Sequence, residues 1–187
     1  MNTAKLFVIS APSGGGKTSI VKAILQKHPE ILFSVSATTR TQRPGEIHGK
    51  DYFFLTKEKF EELLHNKQLV EYEQLFGDYY GTLKEETDRA LSSNKIMMFD
   101  VDVRGALSIK KFYGNDAVLI FIAPPDMKIL EERLRNRKTE SEEKIKTRIE
   151  RAGMELEIGK QFDYTVVNNN LESATKEVEN IIQKHLL

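Results

Sequence analysis

The sequence contains no cysteine, which excludes a disulfide framework, a thiol nucleophile and a thiolate zinc site. It also lacks an excess of either charge. The 28 lysines and arginines balance 28 aspartates and glutamates, leaving no overall basic field to hold a nucleic-acid backbone. No apolar run reaches the roughly 20 residues of a membrane span, and the N-terminal MNTAKLFVIS enters an apolar strand too soon to hold a signal peptide. Internal repeats, low-complexity tracts and disordered linkers are missing as well. What remains is the expectation of a cytoplasmic protein without nucleic-acid or membrane partners, a monomer or small homo-oligomer. Its 187 residues suffice for one good core with small inserted subdomains.

Against these absences, one stretch stands out. Leu6, Phe7, Val8 and Ile9 form a short unbroken apolar run, the signature of a strand buried on both faces of a parallel sheet. Ala11, Pro12, Ser13, Gly14, Gly15, Gly16, Lys17 and Thr18 follow, and then the helical stripe Ile20, Val21, Ile24 and Leu25. Strand, glycine loop and helix make a P-loop, whose backbone N–H groups and helix N-terminus together cradle an anion. Lys17 is placed to reach terminal phosphates and Thr18 to ligate Mg²⁺. The motif's opening glycine is replaced by Ala11, a residue small enough for the loop if its φ is negative.

The rest of the chain alternates strand and helix around one inserted block. His28-Pro29 stops the first helix. Residues 34–82 read as mostly β: Phe33, Val35 and Ala37 alternate with polar residues as one strand, Tyr52 to Leu55 form another, and further strands cover Leu69 to Leu75 and Tyr79-Tyr80. The frame resumes at residue 83 with a helix to Leu91 and the apolar strand Ile96 to Phe99, which ends in Asp100-Val101-Asp102, a Walker B arrangement. A helix from Ala106 to Phe112, a strand from Ala117 to Ala123 and a helix N-capped by Asp126 come next. Arginines then gather around a polar turn near residues 133–158, where Thr139 and Glu142 have capping-box spacing and Glu142 and Lys146 form an i,i+4 pair. Such a segment suits a mobile helical lid closing over phosphates. A strand from Asp163 to Val167 and a helix from Leu171 to Leu186 end the chain. The expected architecture is therefore α/β: a P-loop core with a parallel sheet flanked by helices (residues 1–33 and 83–187), a mostly β acceptor insert (34–82) and a helical lid.

Within the insert, Arg40 and Arg43 beside a Pro-Gly turn are spaced to clamp a dianionic phosphate. Thr38-Thr39-Arg40, Arg43, Glu46, Gly49, Tyr52 and Phe54 keep the spacing of the guanylate kinase signature. Val70-Glu71-Tyr72 and Gly77-Asp78-Tyr79-Tyr80-Gly81-Thr82 resemble that family's second acceptor segment. The resemblance covers essentially the full chain. It implies a reversible transfer from ATP to GMP, with Mg²⁺ as cofactor, dGMP as a further acceptor and a role in guanine nucleotide salvage. By the same resemblance, Arg40, Arg43, Tyr52 and Tyr80 hold the GMP phosphate, and Ser36, Glu71 and Thr82 read the guanine. Arg133, Arg137 and Arg148 match the family's phosphate-binding arginines, and Asn168 lies near the ATP adenine. Asp100 is assigned to metal and Asp102 to the acceptor, although either could serve either role. Two departures are Ala11 and Arg104, where many relatives carry glutamine.

Three other readings remain open on the sequence: a scaffold domain with the same fold and no catalysis, a kinase for AMP or a phosphorylated sugar, and plain RNA binding.

Overall fold

The structure, a computed structural model, describes residues 5–75, 77–136 and 142–186. Leu6–Ser10 forms strand β1, buried at every position at the centre of a five-stranded sheet. Its neighbours are β7 (Met97–Asp100) and β8 (Ala117–Ala123). Beyond them lie β2 (Leu32–Phe33) and β9 (Tyr164–Val167), and every pairing is parallel. Side chains alternate across a strand, so β1 feeds two cores. Phe7 and Ile9 join Ile20, Val21 and Ile24 of α1 (Lys17–Lys27) and Val178, Ile181 and Ile182 of α7 (Leu171–Leu186). Leu6 and Val8 pack on the other face with Ala90 of α3 (Lys84–Ser92) and with Ala106 and Ile109 of α4 (Val103–Tyr113). Burying each of these large apolar side chains is worth about 1.5–3 kcal/mol, which fixes β1 as the platform for the loop that follows it.

A second, four-stranded sheet has the order β4 (Phe53–Phe54), β3 (Ala37–Thr38), β6 (Asp78–Leu83), β5 (Leu69–Leu75). Strands β3 and β4 run parallel, while β3 with β6 and β5 with β6 are antiparallel. Helix α2 (Lys57–His65), N-capped by the Thr56 side chain, buries Phe60 completely and stacks it on Tyr79 at 5.3 Å between ring centroids.

One expectation fails here. The alternation from Phe33 to Ala37 is not a single strand, because Phe33 pairs with Met98 in the first sheet whereas Ala37 pairs with Gly81 in the second. The chain changes sheets between them. Helix α4 also starts earlier than residue 106, since Asp102 accepts a hydrogen bond from Gly105 N–H at 2.7 Å and caps it. Asp126 caps α5 (Met127–Arg135) as expected, through Ile129 N–H at 2.8 Å. Helix α6 (Glu142–Gly159) packs Ile145 and Ala152 on Leu130 and Leu134 of α5. Glu142 is taken by Arg135 at 2.5 Å rather than by Lys146. Thr139, the other half of the expected capping box, lies outside the described residues. No described helix is long and apolar enough to cross a membrane.

Candidate active site

The loop between β1 and α1 is built from its glycines. Gly14 and Gly16 take φ of 89° and 91°, a left-handed backbone that a side chain resists, and a Cβ on Gly16 would strike the Asn168 carboxamide. Gly15 is constrained by space: a Cβ there would stand 2.9 Å from that of Ala11 and 3.0 Å from the Pro12 carbonyl. Ala11 itself is not among the described residues with positive φ, so it replaces a glycine at little cost. Helix α1 begins without a side-chain cap and without an acidic residue in its first turn. Its N–H groups and positive end are thus left for an anion.

Around the loop, Lys17 Nζ lies 2.6 Å from Asp100 Oδ1 and donates to the Val101 carbonyl at 2.8 Å. The Thr18 hydroxyl donates to Asp100 Oδ2 at 3.0 Å. Asp100 reaches both because it is the last residue of β7, paired with Ile9 just before the loop. On the far side, Asn168 follows β9, is buried, and donates from Nδ2 to the Gly15 carbonyl at 2.8 Å. Arg133 Nη2 donates to the Asn168 carbonyl at 3.0 Å, while its buried Nη1 has no hydrogen-bond partner among the described residues. Arg148 of α6 donates to Ser13 Oγ at 2.6 Å. Arg137 lies outside the described residues.

The second sheet holds the other predicted group. Arg40 makes a bidentate pair with Glu46, at 2.7 and 3.1 Å, which holds the guanidinium firmly protonated. Its guanidinium carbon lies 5.3 Å from the Tyr52 ring centroid, and Tyr52 meets Tyr80 edge-on at 6.1 Å. Burial raises the Tyr52 hydroxyl's pKa, and Tyr80 adds to the shift while the charge of Arg40 opposes it. The Arg43 N–H donates to Glu46 at 2.8 Å, with its side chain exposed. Ser36 is half-buried just before β3. Further along, Thr82 donates to Glu71 Oε1 at 2.6 Å. Burial raises the Glu71 carboxyl's pKa, against the pull of the Thr82 hydrogen bond.

A cleft of about 520 Å³ opens between the loop, β5 of the second sheet and α6, and none of Arg40, Arg43, Tyr52, Tyr80, Ser36, Glu71 and Thr82 lines it. It is lined by the loop, by Asp102 and Gln74, and by Arg148, Arg151 and Glu155 of α6.

Sequence reasoning named Glu46 only within a signature and gave it no role, although its carboxylate pairs with the Arg40 guanidinium and accepts the Arg43 backbone N–H. Gly105 was missed. A Cβ on Gly105 would come within 2.9 Å of Glu71 Oε2 and 3.2 Å of Asp102 Oδ1, so the glycine lets the acceptor sheet's carboxylate approach α4. It also missed Glu73 and Arg151. Burial, together with the hydrogen bond and charge of Asp102, pushes Glu73 up to about 7. Burial opposes charge on Asp102 too, but bonds from Glu73 and Gly105 and the charge of Arg151 keep it below the usual carboxylate range.

The Glu73 shift has a consequence for stability. A carboxyl bound to its proton more tightly when folded than when unfolded costs stability as pH rises from its unfolded value to its folded one. Glu73→Gln removes that cost and keeps an oxygen for Arg151. The melting temperature of the variant, relative to the parent, is therefore expected to rise between pH 5 and 8. A difference constant across that range in thermal melts would refute the assignment.

Residues 3–185 match the family model described as guanylate kinase. The chain belongs to the guanylate kinase family. It is 48% identical over 177 residues to the guanylate kinase of Chlorobium chlorochromatii, a match covering 95% of this chain and 93% of that one. It is 45% identical over 179 residues to that of Thermotoga maritima, covering 96% and 86%. A crystal structure of guanylate kinase from Anaplasma phagocytophilum superposes with a TM-score of 0.80 at 28% identity, over all of this chain and 88% of that one. A shikimate kinase from Bacteroides thetaiotaomicron, at 13% identity, a TM-score of 0.52 and coverage of 95% and 98%, shares the fold alone. As a guanylate kinase, the protein is a nucleoside monophosphate kinase that transfers a phosphoryl group from ATP to GMP.

Proposed function

We propose that transfer is direct and in line, from ATP seated on the loop to GMP seated on the second sheet. The observation that carries this reading is the cleft lined by Lys17 and Thr18 together with Gln74 of β5 and Asp102, whose carboxylate meets that of Glu71 beside Gly105. Arg40, Arg43, Tyr52 and Tyr80 hold the GMP phosphate. Ser36, Glu71 and Thr82 read the guanine, whose N1 and N2 donors one carboxylate can accept together. All three contact base rather than sugar, so dGMP serves as a second acceptor, and the enzyme supplies guanine nucleotides in salvage. The residues 34–82 and 133–158 act as acceptor insert and lid on the core.

The attacking oxygen of the GMP phosphate is ionised near neutral pH, so no general base is needed. Catalysis then rests on alignment and charge neutralisation by Lys17, the loop N–H groups and the arginines. Lys17 exchanges its Asp100 partner for phosphate oxygens. Arg133, with one nitrogen already fixed on Asn168, offers its free Nη1, and Arg137 and Arg148 close from the lid. Asn168 borders the adenine site, and Ala11 to Gly16 wrap the phosphates.

Thr18 and Asp100 present two oxygens 3.0 Å apart, the hard donors Mg²⁺ takes. No group of three His, Cys, Asp or Glu residues able to cage an ion occurs among the described residues, which suits an ion that keeps waters and phosphate oxygens as its other ligands. Bound there, it would neutralise charge on the donor phosphates.

A panel of nucleoside monophosphates with ATP and Mg²⁺ tests this reading. GMP and dGMP should yield diphosphate, with AMP, CMP and UMP slower in kcat/KM by about 10³-fold or more. Comparable use of AMP would sink the guanine-reading assignment, and failure to release ADP with any acceptor would favour a scaffold.

A further inference from the structure

Arg151 is not a family phosphate contact in the scheme above, yet it sits where three parts of the molecule meet. Its Nε donates to Glu155 Oε1 at 2.8 Å along α6. Its Nη2 lies 3.3 Å from Glu73 Oε1 on the second sheet and 3.4 Å from Asp102 Oδ2 at the head of α4. The other oxygen of Glu155 accepts from the Ser13 N–H at 3.4 Å. One guanidinium therefore ties the second sheet, the start of α4 and the phosphate loop through three carboxylates.

We propose that Arg151 is a positioning residue for phosphoryl transfer: it fixes α6 against Glu73 and Asp102 and thereby delivers Arg148 to the loop. This rests on the site assignment given under the proposed function. Arg148 and Arg151 are three residues apart and so lie on one face of the helix. Helix α6 is rigid between them, and whatever displaces Arg151 displaces Arg148 with it. Helix α6 has apolar support from a small cluster shared with α5, formed by Leu130, Leu134, Ile145 and Ala152, and from Gly159 at its end, which lies close against the Phe121 ring of β8. Neither support comes from the second sheet, toward which α6 is tied by the contact of Arg151 with Glu73. Without the guanidinium, Glu73 and Asp102 keep each other as partners, and the contacts that tie α6 to both carboxylates are lost. A displacement of about 1 Å at a reacting centre can cost about 10²-fold in rate.

The experiment is steady-state kinetics with ATP and GMP on Arg151→Gln, Arg151→Lys, Glu73→Ala and the double variant Glu73→Ala/Arg151→Gln, with circular dichroism to verify folding. Arg151→Gln should lower kcat by about 10- to 100-fold and change either KM by less than about threefold. Arg151→Lys should recover part of the loss. Glu73→Ala should reproduce part of it, and the double variant should be no slower than Arg151→Gln, because both changes cut one linkage. The inference is overturned if Arg151→Gln keeps kcat within about twofold, if Glu73→Ala is silent, or if the double variant shows the product of the two single losses. Should Arg151→Gln fail to fold, Glu73→Ala decides alone, with a kcat within about twofold of the parent counting against the linkage. A parent enzyme inactive on GMP would instead overturn the site assignment, a result that is read off separately.

Discussion

Lys17→Ala is expected to slow phosphoryl transfer by about 10³-fold or more while leaving GMP affinity within about threefold. The asymmetry follows from where Lys17 sits. Its ammonium lies between the loop and the end of β7, on Asp100 and the Val101 carbonyl, whereas the cluster of Arg40, Tyr52 and Tyr80 proposed to hold the GMP phosphate is built on the other sheet. A single compact cation that moves with the transferring charge acts mainly in the transition state, and its removal falls on kcat. Arginine would not substitute, because its planar fork cannot fit where one ammonium point charge bridges loop and strand. Alanine also leaves Asp100 without its cation, so some loss of melting temperature is expected too. A coupled assay of ADP release and calorimetric titration with GMP measure the two halves. Turnover at the normal rate would remove the loop from the mechanism, and lost GMP binding would mean that the two sites are not built separately.

The part of this site that could be read from the chain is the part made by neighbours in sequence. β1, the loop and α1 are contiguous, and each glycine's role follows from the turn that joins a buried strand to a helix. β8, with seven residues from Ala117 to Ala123, carries enough of a pattern to be placed to the residue. Strands β2 and β3 have two residues each, and two residues have no periodicity. That is why Phe33 and Ala37 could be read as one strand when they belong to different sheets. Charges posed the same difficulty. Arg151 and Glu155 at i,i+4 look like a solvated helix face, and only the fold brings Glu73, 78 positions away, to the same guanidinium. Glu46 was visible within a signature, but its bidentate hold on Arg40 depends on the turn between them closing. Gly105 reads as a weak helix residue until the approach of Glu71 explains it.

Glu71→Gln is expected to lower kcat/KM for GMP by about 10²- to 10⁴-fold with little change in ATP affinity. In the structure, Oε1 of Glu71 is engaged by the Thr82 hydroxyl at 2.6 Å, and Oε2 points toward Gly105 and Asp102. In the proposed function, a buried carboxylate so placed would accept from both guanine donors at once. The carboxamide keeps one acceptor and turns a donor against the other guanine N–H, leaving two buried donors facing each other. Discrimination of this kind is large because the mismatch is desolvated. It also predicts a pH signature. Burial holds the free enzyme's Glu71 carboxyl above the ordinary carboxylate range, and only the ionised form can accept both donors. KM for GMP should therefore climb as pH falls through that raised value, and the climb should vanish in Glu71→Gln. Selectivity unchanged in this variant, with GMP still preferred over AMP and no change in the pH profile, would mean that the guanine is read elsewhere and that the acceptor is recognised through its phosphate alone.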